Sequence, residues 1–244
     1  MKLLHYINRR IKILGFKKTI YKILSELWTI FYYKILFHSL SQRGEDILIN
    51  KFFSAKKNGY YIDIGANDPW VLSNTGFFYK RGWRGITVEP NKALWNILMN
   101  ERPNDIHVYG LIEKYKGKKK FYIFDPHTLS TSSQSVAMSY IKQGYKLVSS
   151  DKVQAYTLAD IFSMVPKNKQ VDILSIDTEG NELAILKSND FSMFRPLIIC
   201  IETLRHDVNN RYEKYNLAIE QYLFSKNYKK IFDTRINSIF IRGK

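Results

Sequence analysis

Four short apolar runs in this chain end in an acid: "YYID" at Asp63, "GITVE" at Glu89, "VDILSID" at Asp177 and "PLIICIE" at Glu202. A buried strand does not close on a carboxylate unless its end opens into a polar cleft. One such acid could equally cap a helix or meet an arginine. Four at one edge of a sheet argue for a ligand. Carboxylates there can accept hydrogen bonds from hydroxyls, act as general bases or bind a hard cation.

The turn after the first run reads "IDIGANDP". Gly65 allows close approach of the backbone to a ligand. Asn67 stands where the second glycine of G-x-G-x-x-G belongs, and the third is missing, so the dinucleotide fingerprint fails. The loop also lacks the Lys-Ser/Thr pair of a P-loop. What remains is a nucleoside ligand without a pyrophosphate. Glu89, 26 residues after Asp63, is placed to accept hydrogen bonds from two ribose hydroxyls.

The elements that must position these acids alternate. Strands are expected at 60–66, 85–90, 106–112, 171–177 and 196–202, with a further strand at 121–124 and a closing pair at 228–233 and 237–242. Helical patterns fill 41–53, 73–82, 91–102, 157–165, 182–191 and 216–227. Ser73 is the expected cap and Gly82 the stop of the second of these, and Asn91 begins the third. Glu45, Asp46 and Glu182 suit the positive ends of their helices. "KYKGKKK" (114–120) reads as a solvated turn, and the Ser/Thr-rich 127–139 as a mobile loop. His127, Ser130, Ser132 and Ser133 on that loop suit a glycan acceptor, a closing lid or a solvated surface. The alternation predicts an α/β domain with a mostly parallel sheet and helices on both faces. Ligands in such sheets sit beyond the carboxyl ends of the strands.

"YIDIGAND…SNT…RGWRGITVEPN", followed by "VDILSIDTEGNELAIL" and "RPLIICIE", resembles the FkbM-type methyltransferases. "SQRGED" is similar to the lead-in of one branch of that family. The resemblance covers residues 41–242 and leaves out 1–40. It implies a Rossmann-like class I methyltransferase sheet, an S-adenosylmethionine donor and an O-methyl product, many relatives acting on sugars or polyketides. Carried onto this chain, it implies that Asp63, Gly65, Ala66 and Asn67 form the turn under the methionine part of the donor. Ser73 and Asn74 open the helix beside it, Glu89 holds the ribose, and Gly110 and Leu111 flank the adenine. The family often has Gly where Asp68-Pro69 stands here, which makes Asp68 a candidate for the donor's amino group. Asp177 ends the strand where methyl transfer happens.

An alcohol is a poor nucleophile, so its proton must be removed. Asp177, Glu179 and His206 are the candidate bases. Asp177, Glu179 and Glu202 also make an oxygen-ligand set suited to a cation such as Mg²⁺.

The chain has 244 residues, 45% of them hydrophobic, enough to bury a core. Its single cysteine, Cys200, excludes an internal disulfide and a cysteine metal cluster, and fits a reducing compartment. The formal charge of +16 implies an anionic partner or surface. Eight Lys/Arg against Glu26 fall within residues 1–40. Leu3, Ile7, Ile11 and Leu14, then Ile20, Leu24, Leu27 and Phe31, recur there at helical spacing. The segment is therefore expected as a basic amphipathic extension to a methyltransferase domain at 41–244. One reading lays it on an anionic membrane, with Trp28, Tyr32 and Tyr33 at headgroup depth. The other packs it on the domain or on a second subunit. Its apolar stretch at 27–37 is too short to span a bilayer, and no signal-peptide cleavage site follows. The expected location is cytoplasmic, peripheral at the inner face of the membrane.

Two other classes compete. An RNA-directed methyltransferase would use the charge, but no RNP-type or helix-turn-helix signature accompanies the scattered aromatics, and nucleic acid is disfavoured as a partner. A non-enzymatic membrane-interaction protein would explain residues 1–40 and leave the strand-end acids unexplained. The expected function is an S-adenosylmethionine-dependent O-methyltransferase acting on a saccharide hydroxyl of a surface glycan, the glycan following from the resemblance alone.

Overall fold

The computed structural model describes Ile20, Trp28, residues 31–206 and residues 213–243. Most of the expected extension at 1–40 lies outside the described residues; Phe31–Leu36 forms a π-helical turn. Elements follow as α1 (Glu45–Asn50), β1 (Tyr60–Ile64), α2 (Gly76–Lys80), β2 (Arg84–Glu89), α3 (Lys92–Glu101) and β3 (Ile106–Tyr109). Next come β4 (Leu111–Ile112), β5 (Gly117–Asp125), α4 (Gln134–Lys142), β6 (Lys146–Tyr156), α5 (Leu158–Ser163) and β7 (Ile173–Ile176). The chain closes with α6 (Glu182–Leu186), β8 (Ile198–Glu202), β9 (Leu204–His206), β10 (Glu213–Tyr215), α7 (Leu217–Ser225), β11 (Tyr228–Asp233) and β12 (Asn237–Arg242).

Seven strands form one sheet in the order β11–β12–β8–β7–β1–β2–β3. The pairings β1/β2, β1/β7, β2/β3 and β7/β8 are parallel, and β12 runs antiparallel to both its neighbours. From β1 the chain steps outward through β2 and β3, then returns to β1's other side with β7 and β8. Strand order therefore reverses between β1 and β7, where a ligand crevice belongs.

Alternation within the strands builds two cores. Ile62, Ile64, Val88, Leu174, Ile176 and Ile199 face α5, α6 and α7 through Ile161, Ile185 and Leu223. Tyr61, Ile173, Ile198 and Cys200 face the opposite side with Ile49, Phe78 and Trp83. Asp63 shares the face of Tyr61, two residues on. The expected cap is present at α3, where the Asn91 side chain accepts from Ala93 N; α5 adds a capping box formed by Thr157 and Asp160. Among the described residues no helix is long and apolar enough to cross a membrane.

The expected strand 106–112 is in fact two strands. The chain turns out of the main sheet at Gly110, where a Cβ would lie 2.7 Å from the Tyr156 ring and 2.8 Å from the Gln154 carbonyl oxygen. β4 then joins a small second sheet in the order β4–β6–β5. The expected turn at 114–120 is strand from Gly117 onward, its lysines exposed. The expected loop at 127–139 is a 3-10 turn (His127–Leu129) followed by the start of α4. Ser133 starts that helix: its side chain accepts from Val136 N and caps it. The cap of α2 is Thr75, while Ser73 Oγ accepts from Gly76 N. Glu45 and Asp46 turn inward instead of only facing a helix dipole. Glu45 accepts from Thr234 and Asn237, and Asp46 from the Leu40 amide and the Ser39 and Ser41 hydroxyls.

Candidate active site

A cavity of about 390 Å³ opens beyond the carboxyl ends of β1, β2 and β7, with the small sheet as its far wall. Asp63, Gly65, Ala66, Asn67, Asp68, Ser73, Asn74, Glu89, Gly110, Leu111, Asp177 and Glu179 all line it. His127, Ser130 and Ser132 line it too, whereas Ser133 is occupied as a helix cap.

At one end the β1 turn is pressed against β7. A Cβ on Gly65 would lie 1.9 Å from the Asp177 carbonyl oxygen, and Gly65 itself has φ 75°. The close approach leaves no room for any side chain, and the positive φ further favours glycine. Gly65→Ala is therefore expected to unseat the turn and abolish donor binding, checked by titration with S-adenosylhomocysteine.

Asn67 follows in the left-handed region at φ 53° and donates its backbone N–H to Glu89 Oε2 at 2.8 Å. Asn91 N donates to Glu89 Oε1, also at 2.8 Å. Burial pushes the Glu89 carboxyl up to about 7, against the pull of these two amides. Each carboxylate oxygen keeps a second lone pair, enough for two vicinal hydroxyls. Asp68 Oδ1 closes a turn by accepting from Trp70 N and Val71 N. Asn74 donates to Ser175 Oγ, while its buried Oδ1 has no partner among the described residues.

Asp63 is tied into a buried relay. Its Oδ2 accepts from Thr75 Oγ1 at 2.5 Å, and Arg102 Nη1 donates to that same hydroxyl oxygen at 2.9 Å. Arg102 Nη2 donates to Ser73 Oγ and the Pro69 carbonyl. Burial raises the Asp63 pKa, and the Arg102 guanidinium pulls it back. Arg102, fully buried, holds the turn that carries Ser73 and Asn74, and sequence reading passed over it as a helix end. Nothing local in "NERPND" distinguishes it.

At the other end Asp177, Glu179 and Glu202 bring carboxylate oxygens within 4.8 Å of one another. Burial and the neighbouring acids Glu182, Asp63 and Glu45 push Asp177 up to about 7. Burial and Asp177 push Glu179 up to about 8, with the Tyr140 hydroxyl pulling it down. Glu202 is driven well above the carboxylate range by burial, then by Glu179 and Asp177. Glu179 sits at φ 57°, held by Thr131 Oγ1 on its carbonyl at 3.0 Å and the Tyr140 hydroxyl on Oε2 at 3.1 Å. Thr131 comes from the Ser/Thr-rich stretch and Tyr140 directly follows it; neither was singled out by composition. Glu182 accepts from Thr178 N, Thr178 Oγ1 and Gly180 N, so it fixes the turn between Asp177 and Asn181 as well as opening its helix. His206 ends β9, and its side chain lies outside the described residues.

Residues 63–230 match the methyltransferase FkbM domain. The chain belongs to this family. It is a methyltransferase dependent on S-adenosylmethionine, with an α/β fold of the class I methyltransferase type. Searches of curated proteins give no match. Among solved structures, the enzyme is similar to a TehB-like SAM-dependent methyltransferase from Corynebacterium glutamicum, at 10% identity and TM-score 0.40, covering 82% of this chain and 87% of that one. The 1,6-didemethyltoxoflavin-N1-methyltransferase of Burkholderia thailandensis aligns at 9% identity and TM-score 0.45, over 92% of this chain and 89% of that one. An O-methyltransferase from Bacillus cereus aligns at 12% identity and TM-score 0.38, over 84% and 81% of the two chains.

Proposed function

We propose that this methyltransferase modifies a hydroxyl of a saccharide in a surface glycan. The carrying observation is the carboxylate cluster at the cavity wall, in which Asp177 and Glu179 bind protons near neutral pH. A base with that proton affinity is matched to an alcohol substrate at physiological pH. The wall beside it carries the hydroxyls of Thr128, Ser130 and Ser132, the Asn181 amide and the His127 imidazole, which suit a polyhydroxylated acceptor.

The donor fits the opposite end. Glu89 has spare acceptor capacity for a ribose, and the buried, unpaired Asn74 Oδ1 suits an ammonium group. Bound S-adenosylmethionine supplies a methyl group activated by its sulfonium. Residues 63–68 shape the floor beneath it, and Asp177, on the adjoining strand end, receives the acceptor's proton. Glu179 stands next to Asp177 as the alternative receiver. Asp177, Glu179 and Glu202 together would also hold a hard divalent cation such as Mg²⁺, which would lower the proton affinity of an acceptor hydroxyl. Loss of activity with a chelator and its return with Mg²⁺ supports that part; activity indifferent to chelation removes it.

We also place the enzyme in the cytoplasm, peripheral at the inner membrane face through residues 1–40. The eight basic residues against one acid there support this. Deleting 1–40 is expected to reduce flotation with anionic vesicles and leave donor binding unchanged.

The donor half is tested by Glu89→Ala. Hydrogen bonds to a charged group contribute about 1.5–3 kcal/mol each, so losing two to the ribose is expected to weaken S-adenosylhomocysteine binding by at least about 150-fold by calorimetry. Unchanged affinity would remove Glu89 from the ribose site.

A further inference from the structure

We propose that the tip formed by the end of α4 and the start of β6 is an interfacial anchor for an anionic lipid bilayer. Residues 141–148, "IKQGYKLV", are exposed without interruption. Five large apolar side chains are exposed at this tip, Met138, Ile141, Tyr145, Leu147 and Val148, of which Tyr145 also packs edge-on against Tyr140. Single exposed apolar residues are ordinary, but a contiguous group edged by charge marks an interaction site.

Two structural details show that the tip is built to present them. The inward face of α4 is already satisfied, with Ala137 and Tyr140 packed on Tyr122 and Phe124. The apolar residues on the outer side therefore do not serve that core. In the β5–β6 ladder Leu147 pairs with Phe124 and Ser149 with Ile123, which leaves Val148 unpaired in a bulge. A bulge re-aims a side chain, and Val148 is 57% exposed. The turn itself is held by Gln143 N on the Ser139 carbonyl and Tyr145 N on the Tyr140 carbonyl.

The charge names the occupant. From Pro126 to Ser150 there is no acid, and Lys142 and Lys146 alternate with the apolar residues. Asp125, opposite Lys146 in register, and Asp151, opposite Phe121, are the two acids of the hairpin. Farther along the hairpin Lys120 stands directly opposite Lys152, with Lys118 two residues away on the same face. Like charges opposite one another destabilise a ladder, and none of these three has an ion-pair partner among the described residues. Apolar side chains that enter the acyl boundary, flanked by lysines that meet headgroups, match the surface of an anionic membrane. The same α4 supplies Tyr140 to Glu179, so the anchor lies one helix from the acid cluster. This surface is independent of residues 1–40 and of the acceptor's identity.

The test uses the full chain with an environment-sensitive bimane label at Ile141→Cys or Val148→Cys. Cys200 is buried and stays unlabelled. Met193→Cys is the control: Met193 is 71% exposed and precedes β8, at the edge of the sheet away from the cavity. Binding of S-adenosylhomocysteine confirms that each labelled protein is folded. With phosphatidylglycerol vesicles the labels at 141 and 148 are expected to shift to the blue and the label at 193 is not. Lys142→Gln with Lys146→Gln is expected to reduce that shift. The proposal is overturned if 141 and 148 do not shift, or if phosphatidylcholine vesicles act equally well. It is also overturned if the shift appears with rising protein concentration and no lipid, which would assign the tip to a second copy of the chain.

Discussion

Asp177→Asn is expected to lower methyl transfer by about 10²–10⁴-fold, the range that a positioned general base supplies. Asparagine keeps the shape of the side chain and cannot take a proton from an alcohol. The check is mass spectrometry of glycans from cells carrying the wild-type or variant chain, in which the mass of one methyl group should disappear. The pH dependence adds a second reading. Asp177 and Glu179 hold their protons up to about 7 and about 8, so the base is disabled as pH falls through that range. Activity is expected to rise with pH across it, and a bound cation would move the limb to lower pH by favouring the ionised carboxylates. Glycans still methylated in the variant would remove Asp177 as the base.

The same shifts imply an opposite effect on stability. A carboxyl whose pKa is raised by folding contributes stability below its unfolded value, and that stability is lost as pH rises through the folded value. Asp177→Asn should therefore stabilise the ligand-free protein at pH 8 by about 2–4 kcal/mol and matter little at pH 4. A residue whose removal stabilises the fold and stops the reaction is being kept for chemistry.

How much of this was legible depended on where each residue's partners lie. Near-continuous apolar runs made the four central strands β1, β2, β7 and β8 readable, because burial on both faces leaves little ambiguity. Gly65, Glu89 and Asp177 were readable because strand ends in one sheet meet at one edge. The small sheet was not. The first half of β5 is "GKKK", which has no strand signature and becomes strand only by pairing with β6. β6 is itself polar, and its bulge at Val148 breaks the alternation that would have announced it. α4 was hidden by serines that composition assigns to loops, although Ser133 is a helix cap. Glu45 and Asp46 looked like helix-dipole partners because their real partners, Thr234, Asn237, Ser39 and Ser41, are set by tertiary structure and the preceding turn.

Arg102→Met is expected to destabilise the enzyme by about 3–5 kcal/mol, the loss typical when one partner of a buried charge network is removed. Methionine fills much of the volume but donates nothing. Ser73 Oγ, the Pro69 carbonyl and Thr75 Oγ1 then lose their buried donor, and Asp63 loses the guanidinium that offsets its burial. Arg102→Lys should recover little, since one ammonium cannot reach three acceptors across a planar fork. The penalty has a sign in pH. Without Arg102 the Asp63 pKa rises further, so the variant's deficit should grow from pH 5 to pH 8 as ionisation of Asp63 becomes more costly. Urea denaturation at the two pH values measures this. The double variant with Asp63→Asn should regain part of the loss, since the pair shares Thr75 and one electrostatic field. Strictly additive effects would show that Arg102 and Asp63 act separately. Non-additive effects would show that the turn from Pro69 to Thr75, which carries Ser73 and Asn74 to the cavity wall, is held by a charge pair split between the end of β1 and the end of α3.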